Sequence, residues 1–160
     1  MIEIKDKKNC VGCTACAEIC PKKCIQMKPD EEGFLYPVVD KSRCVECNAC
    51  NTVCPIQSPV DEKEKLQKAY LVQHCDEKVR LDSSAGGAFT AIATVVLQKG
   101  GVVFGAAYDE NFHVQHTYIE AVDELKKFRN SKYVQSELGD AFCLVKSFLQ
   151  KGRWVCFSGT

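Results

Sequence analysis

Hydrophobic residues change their spacing along the chain near residue 69. Before it, short apolar segments at 25–27 and 34–36 flank a turn-forming cluster at 29–33. This arrangement predicts a β-hairpin whose loop is too long for a tight turn. Short helices are expected after the third cysteine of each of two cysteine-rich segments. Each should stop at a Cys-Pro pair, because proline cannot continue a helix.

Beyond residue 69, segments with the spacing of strands alternate with segments that have the spacing of helices. Strands are predicted at four places: 69–72, 102–108, 112–119 and 154–157. Strands that alternate with helices are typical of an α/β sheet. The chain therefore predicts a small α+β module followed by the beginning of an α/β domain.

Two helices are predicted among these strands. Residues 88–99 are apolar on almost every face, which indicates a buried helix with an N-cap in the run 83–87 and a stop at Gly100. A second helix, which Ser136 can cap, is predicted from a stripe of apolar residues: Leu138, Ala141, Phe142, Val145, Phe148 and Leu149.

Charge and targeting signals narrow the class of protein. The 21 Lys and Arg residues balance 21 Asp and Glu, so the chain lacks the basic excess of proteins that bind nucleic acid. Residues 1–8 are charged and do not form a signal peptide. The longest uncharged stretch, 83–98, has 16 residues, fewer than the roughly 18 apolar residues of a spanning helix. We expect a cytoplasmic protein with no nucleic-acid partner and no membrane insertion.

The cysteines are unusually frequent, 12 among 160 residues, and eight of them lie in a duplication. Residues 6–21 recur 34 positions later at 40–55, with nine of 16 aligned positions identical. The identities include all four cysteines and the proline of each copy. In a reducing compartment, cysteines bind metal more often than they form disulfides. The duplication therefore indicates a metal module built twice.

The cysteine spacing in each copy is C-x2-C-x2-C-x3-C-P, which predicts two 4Fe-4S clusters. The first three thiolates can reach different corners of one cubane, and the fourth points away to the other cluster. Cluster 1 should take Cys10, Cys13, Cys16 and Cys54. Cluster 2 should take Cys44, Cys47, Cys50 and Cys20. Zinc is the main alternative, but zinc sites usually carry paired cysteines separated by about 15–20 residues. A disulfide framework is a weaker alternative without a secretory signal.

This pattern resembles the bacterial-type two-cluster ferredoxins over residues 1 to about 57. The resemblance implies a compact module that passes one electron at a time. Three other cysteines, Cys24, Cys143 and Cys156, lie in or beside apolar segments and are expected to pack as small hydrophobic residues. Cys75 lies in a polar stretch and receives no assignment.

Two polar segments in the second part are candidate binding sites. The Ser- and Gly-rich turn 83–87 precedes a helix, where unpaired N–H groups attract anions, although glycines that permit close packing would look the same. Residues 129–136 gather cations, an aromatic ring and hydrogen-bonding side chains, as a solvated loop also can. The sequence offers no independent general acid or base.

Residues 84–90, 101–106, 131–136 and 157–160 together resemble the coenzyme F-420 hydrogenase/dehydrogenase beta-subunit family, in the family's order across 69–160. One departure is Asn130, where the family commonly has glycine. The resemblance implies FAD, contacted by Ser84, Gly86, Gly87, Ser131, Lys132, Tyr133, Gln135 and Ser136. It also implies hydride exchange with a deazaflavin such as coenzyme F-420, and a redox partner protein or hydrogenase/dehydrogenase subunits.

The domain prediction follows from both resemblances. We expect a two-cluster module at 1–57, a linker at 58–68 and the N-terminal part of a flavin domain at 69–160. Family members continue well beyond the Ser-Gly-Thr motif, so the chain is interpreted as an N-terminal fragment of an oxidoreductase, inactive alone. The alternative function is a non-enzymatic electron carrier whose second segment docks a partner.

Overall fold

The computed structural model describes residues 1–59 and 68–159. The chain divides into two compact units, Met1–Leu66 and Gln67–Thr160. Most of the predicted linker, residues 60–67, lies outside the described residues, as does Thr160. No helix among the described residues has the length and apolar character to cross a membrane.

The N-terminal unit contains the predicted hairpin. Strands β1 (Ile25–Pro29) and β2 (Leu35–Val39) pair antiparallel, from Ile25 opposite Val39 to Pro29 opposite Leu35. The Asp30 carboxylate shapes the loop between them, because it accepts hydrogen bonds from the backbone N–H groups of Glu32 and Phe34. This prediction is confirmed.

The two short helices also form, with a small shift. Helices α1 (Ala15–Glu18) and α2 (Ala49–Val53) begin one residue before the third cysteine of each copy and contain it. Both end before the Cys-Pro pair, as predicted. A 3-10 helix at Lys7–Asn9 precedes them. The third cysteine of each copy therefore lies in a helix and is buried.

The C-terminal unit has a three-stranded mixed sheet. Its strands β3 (Val102–Tyr108), β4 (Val114–Ile119) and β5 (Val155–Phe157) lie in the order β4-β3-β5. Strand β3 pairs antiparallel with β4 and parallel with β5. The helical segments are α3 (Glu77–Leu81), α4 (Ala88–Gln98), a 3-10 helix (Val122–Lys127) and α5 (Ala141–Gln150).

Strand β3 is buried on both faces. Val103 and Ala107 pack against α4 residues such as Leu97. Val102 and Phe104 pack instead against the α5 side, where Ala141 is buried. Since successive residues of a strand point to opposite faces, α4 and α5 cover opposite faces of the sheet.

Three predicted details are wrong. Residues 69–72 form no strand, and the apolar side chains there are exposed. Helix α4 starts from Gly87 without a side-chain cap. Helix α5 starts at Ala141, after Asp140, so Ser136 does not cap it. The Ser136 hydroxyl is hydrogen-bonded to the ring of His116 instead.

Candidate metal centre

Each cysteine loop contains two residues with positive φ, and these residues occupy equivalent positions in the two copies. Gly12 and Thr14 have φ of 62° and 59°, and the equivalent residues Glu46 and Asn48 have φ of 53° and 63°. Left-handed backbone is uncommon outside glycine and is retained where the surrounding structure requires it. The turns aim successive cysteines of one loop towards a common space.

Two cavities in the N-terminal unit are lined by the cysteines. Cavity 1 is lined by Cys10, Cys13, Cys16 and Cys54. Cavity 2 is lined by Cys20, Cys44, Cys47 and Cys50, and also by Cys24. Each cavity thus combines three cysteines of one copy with the fourth of the other. This is the grouping that the spacing predicts for two clusters.

The lining is otherwise mostly apolar. Ile2, Ile4 and Met27 line cavity 1, and Ile25 and Val39 line cavity 2. These apolar residues belong to one hydrophobic cluster, which also includes six cysteines: Cys16, Cys20, Cys24, Cys44, Cys50 and Cys54. Apolar surroundings limit the access of water to a metal group and its ligands.

A single metal ion and a cubane cluster require different arrangements of the four thiols. Within 1–59 and 68–159, no three or more His, Cys, Asp or Glu side chains are arranged to hold a single metal ion. A single zinc ion draws its sulfur ligands to about 2.3 Å, whereas a cubane takes each thiolate at a different corner.

A buried hydroxyl without a hydrogen-bond partner in the described part of the chain is a second indication that cavity 1 receives a polar group. The Thr14 Oγ1 atom is buried in the lining of cavity 1 and has no hydrogen-bond partner among the residues that the structure describes. Buried polar atoms are normally satisfied. The four thiols of each cavity fit an iron–sulfur cluster, and so does this hydroxyl in cavity 1.

Hydrogen bonds favour the thiolate form of Cys20 in cavity 2. Burial opposes ionisation most strongly, yet hydrogen bonds from the backbone N–H and thiol of Cys24, with N–H groups of Lys22 and Lys23, lower the pKa of Cys20 overall. The hydrogen bond to Cys20 raises the pKa of Cys24 to about 11, assisted by burial. The Cys50 Sγ atom also accepts a hydrogen bond from the N–H of Ile2.

Cavity 1 opposes ionisation of its buried thiol. Burial, followed by the charges of Cys13 and Cys10, raises the pKa of Cys16 to about 11. A bound cationic metal core would favour the ionised form of Cys16. Metal uptake at this cavity would therefore release the Cys16 proton.

The four remaining cysteines differ in their surroundings. Cys24 is buried and Cys156 is half-buried against the core of the C-terminal unit, in agreement with their predicted packing. Cys143 is exposed, so the prediction that it packs in the core is wrong. It lies on α5 at a position that faces away from the sheet. Cys75 is also exposed.

The glycines of the turn 83–87 have packing roles. A Cβ on Gly86 would lie 2.4 Å from the carbonyl oxygen of Val72. The His74 N–H donates to the Gly86 carbonyl at 2.6 Å. Gly87 begins α4 with φ of 80°. The chain at 72–74 therefore lies directly against the turn, which explains why this extended segment has no strand partner.

Two candidate flavin segments contact each other in the C-terminal unit. The Ser84 hydroxyl donates to the side-chain oxygen of Asn130 at 2.9 Å, and Arg129 pairs with Asp82 at 3.2 Å. Lys132 donates to the carbonyls of Lys127 and Arg129, and burial lowers its pKa.

The other predicted residues of segment 131–136 are mostly exposed. Ser131 and Gln135 are exposed, and the Tyr133 side chain is 95% exposed. Ser136 is half-buried.

His116 is a site residue that sequence reasoning missed. Its Nε2 donates to the Ser158 carbonyl at 3.0 Å, so in the neutral ring Nδ1 accepts from the Ser136 hydroxyl at 2.6 Å. The ring stacks on Phe157 at 5.1 Å. His116 thereby joins two of the motif segments. No signal beyond its place in a predicted strand could have found it.

Comparison with known families supports the metal assignment. Residues 9–58, less than a third of the chain, match the family model described as a 4Fe-4S dicluster domain. This match supports an iron–sulfur module of the ferredoxin type. It also supports iron–sulfur clusters as the metal group and electron transfer as the activity of this module. Comparison with curated proteins finds no match to the chain.

Proposed function

We propose that the N-terminal unit transfers electrons through two 4Fe-4S clusters held by crossed ligand sets. Cluster 1 is bound by Cys10, Cys13, Cys16 and Cys54. Cluster 2 is bound by Cys20, Cys44, Cys47 and Cys50. The observation that carries this proposal is the lining of the two cavities, each of which combines three cysteines of one copy with one of the other.

The residues of the unit have three tasks in this proposal. When bound, each cluster accepts or releases one electron. The eight thiolates hold the metal, and hydrogen bonds to Cys20 and Cys50 stabilise negative charge on two of them. The isoleucines of the lining limit the access of water to the buried ligands Cys16, Cys20 and Cys50, whereas Cys47 is exposed.

Iron content tests the ligand assignment. After anaerobic reconstitution, we expect about eight iron atoms per chain, since two four-iron clusters are proposed. Cys54→Ala should lose cluster 1 selectively, leaving about four iron atoms. The exposed Cys75 provides a matched control, and Cys75→Ala should retain all eight. Stoichiometric zinc without broad visible absorption would contradict the proposal.

We further propose that the whole protein is an oxidoreductase in which the C-terminal unit binds FAD. This proposal rests on the resemblance to the F-420 hydrogenase/dehydrogenase beta-subunit family. Two observations support it: Ser84 contacts Asn130, and His116 joins Ser136 to Ser158. Segments that are far apart in sequence and share the family's motifs are thus linked in pairs.

The polar groups of this candidate site are largely engaged within the protein. Ser84, Lys132 and Ser136 are hydrogen-bonded to Asn130, to backbone carbonyls and to His116. These engaged side chains would have to release their partners to contact FAD, whereas Ser131 and Tyr133 are exposed. A redox partner protein, hydrogenase or dehydrogenase subunits, and a deazaflavin or other hydride carrier belong to the same proposal.

Flavin content distinguishes the oxidoreductase from a simple electron carrier. The protein expressed from its complete reading frame and purified gently under anaerobic conditions should release FAD on denaturation, detected by fluorescence. Turnover with reduced F-420, nicotinamides and ferredoxin would then identify the substrate. Protein with full iron and no flavin would favour the non-enzymatic carrier.

A further inference from the structure

The residues that follow the two copies of the cysteine motif differ four positions after the last cysteine. Cys24 follows Cys20 by four residues, and 34 positions later the equivalent residue is Ser58, which follows Cys54. Cys24 is only 4% exposed and lines cavity 2. Ser58 is exposed. The duplicated module therefore carries an additional thiol on the side of cavity 2.

The additional thiol lies within hydrogen-bonding distance of a proposed ligand. The Sγ atoms of Cys20 and Cys24 are 3.4 Å apart, and both are buried. Either thiol could donate in the metal-free protein. Once Cys20 is bound to iron it has no proton, so the only S–H donor of the pair is Cys24.

A hydrogen-bond donor at this position changes the reduction potential of cluster 2. Reduction adds negative charge to the cluster and its ligand sulfurs, and a hydrogen bond to a sulfur stabilises that charge. Because the pair is buried, the surrounding apolar atoms strengthen the interaction relative to one in water. The hydrogen bond thus favours the reduced form and raises the reduction potential.

We propose that the Cys24 thiol donates a hydrogen bond to the Cys20 ligand sulfur and raises the reduction potential of cluster 2. The inference rests on the proposed function, because it requires Cys20 to bind cluster 2. It makes the two clusters inequivalent, with Cys24 favouring the presence of an electron on cluster 2.

Redox titration followed by electron paramagnetic resonance tests the inference. Wild type, Cys24→Ala and Cys24→Ser are reconstituted anaerobically, and iron is measured in each. We expect about eight iron atoms in all three, from two four-iron clusters. Cys24→Ala should lower the potential of one cluster and leave the other unchanged. Cys24→Ser keeps a donor and should restore the potential towards that of wild type. The matched control Ser58→Ala should shift neither cluster.

The outcomes separate this inference from the proposal on which it rests. Wild type without iron would contradict the proposed function itself. Full iron with an unchanged potential in Cys24→Ala would overturn the inference alone. Loss of about half the iron in Cys24→Ala would identify Cys24 as a ligand rather than a donor, which also overturns it. Equal shifts in the reduction potentials of both clusters would also overturn the inference. A Cys24→Ser potential equal to that of Cys24→Ala would overturn it as well.

Discussion

Asn130 shows how one backbone angle constrains the choice of residue. Its φ is 67°, in the left-handed region, and its side-chain oxygen accepts a hydrogen bond from Ser84. Asparagine is among the few residues other than glycine that adopt this region readily. Asn130 therefore fits the left-handed backbone and adds a contact to the turn 83–87.

Substitutions at Asn130 should separate these two effects. Asn130→Ala keeps a Cβ in left-handed backbone but loses the short polar side chain that tolerates this region, so it should lower the free energy of unfolding by about 1–2 kcal/mol. Asn130→Gly loses only the exposed hydrogen bond and should cost about 0.5 kcal/mol. Denaturant unfolding followed by the fluorescence of Trp154, the single tryptophan, measures both.

Ser84→Ala is the control for the lost hydrogen bond, because it leaves the backbone at Asn130 unchanged. Its cost should match that of Asn130→Gly. An Asn130→Ala protein as stable as Asn130→Gly would show that the left-handed backbone is not maintained there.

Single residues were predictable where their chemistry was repeated and not where a distant contact decided their role. The eight motif cysteines repeat at a fixed spacing, and four of them line each of the two cavities. His116 acts through Ser136 and Ser158, which are 20 and 42 residues away. Cys143 was predicted wrongly because a residue next to an apolar helical stripe can be either buried or exposed.

Strand β3 is the element on which the C-terminal unit is built, and its glycine is required by packing. A Cβ on Gly105 would lie 2.8 Å from Cγ and 3.2 Å from Cβ of Phe128. Phe128 follows the 3-10 helix and is itself buried. These ring and stem atoms cannot move aside as the end of a flexible chain could. Gly105 therefore provides the space into which Phe128 packs.

Gly105→Ala should destabilise the C-terminal unit by about 1–3 kcal/mol, the usual cost of overpacking a core. In a Phe128→Ala background the same substitution should cost little, because the space is then open. Trp154 fluorescence during denaturant unfolding gives the four stabilities of this double-mutant cycle. Additive effects of the two substitutions would contradict the proposed contact.

Strand β3 was predicted best among the elements, because a strand that is buried on both faces is apolar at nearly every position. The run at 102–108 became β3 with the predicted bounds, since a central strand covered by helices on both faces is apolar throughout. Residues 69–72 are also apolar, but their side chains are exposed, and the Val72 carbonyl lies against Gly86. Apolar character alone does not distinguish these two situations.

At the scale of the whole molecule, the chain divides into two compact units between Leu66 and Gln67. The cysteine-rich unit and the α/β unit each have their own buried core. The mixed pairing in the second sheet was not predictable, because the period of two is the same for parallel and antiparallel neighbours.

The exchange of cysteines between the two cavities bears on how such a module could have arisen. Each 16-residue copy supplies three thiols to one cavity and its fourth to the other. A chain with a single copy could complete its sets only by trading cysteines with a second molecule in a symmetric dimer. Fusion of two copies replaces that encounter by an intramolecular one, so that assembly of the ligand sets no longer depends on protein concentration.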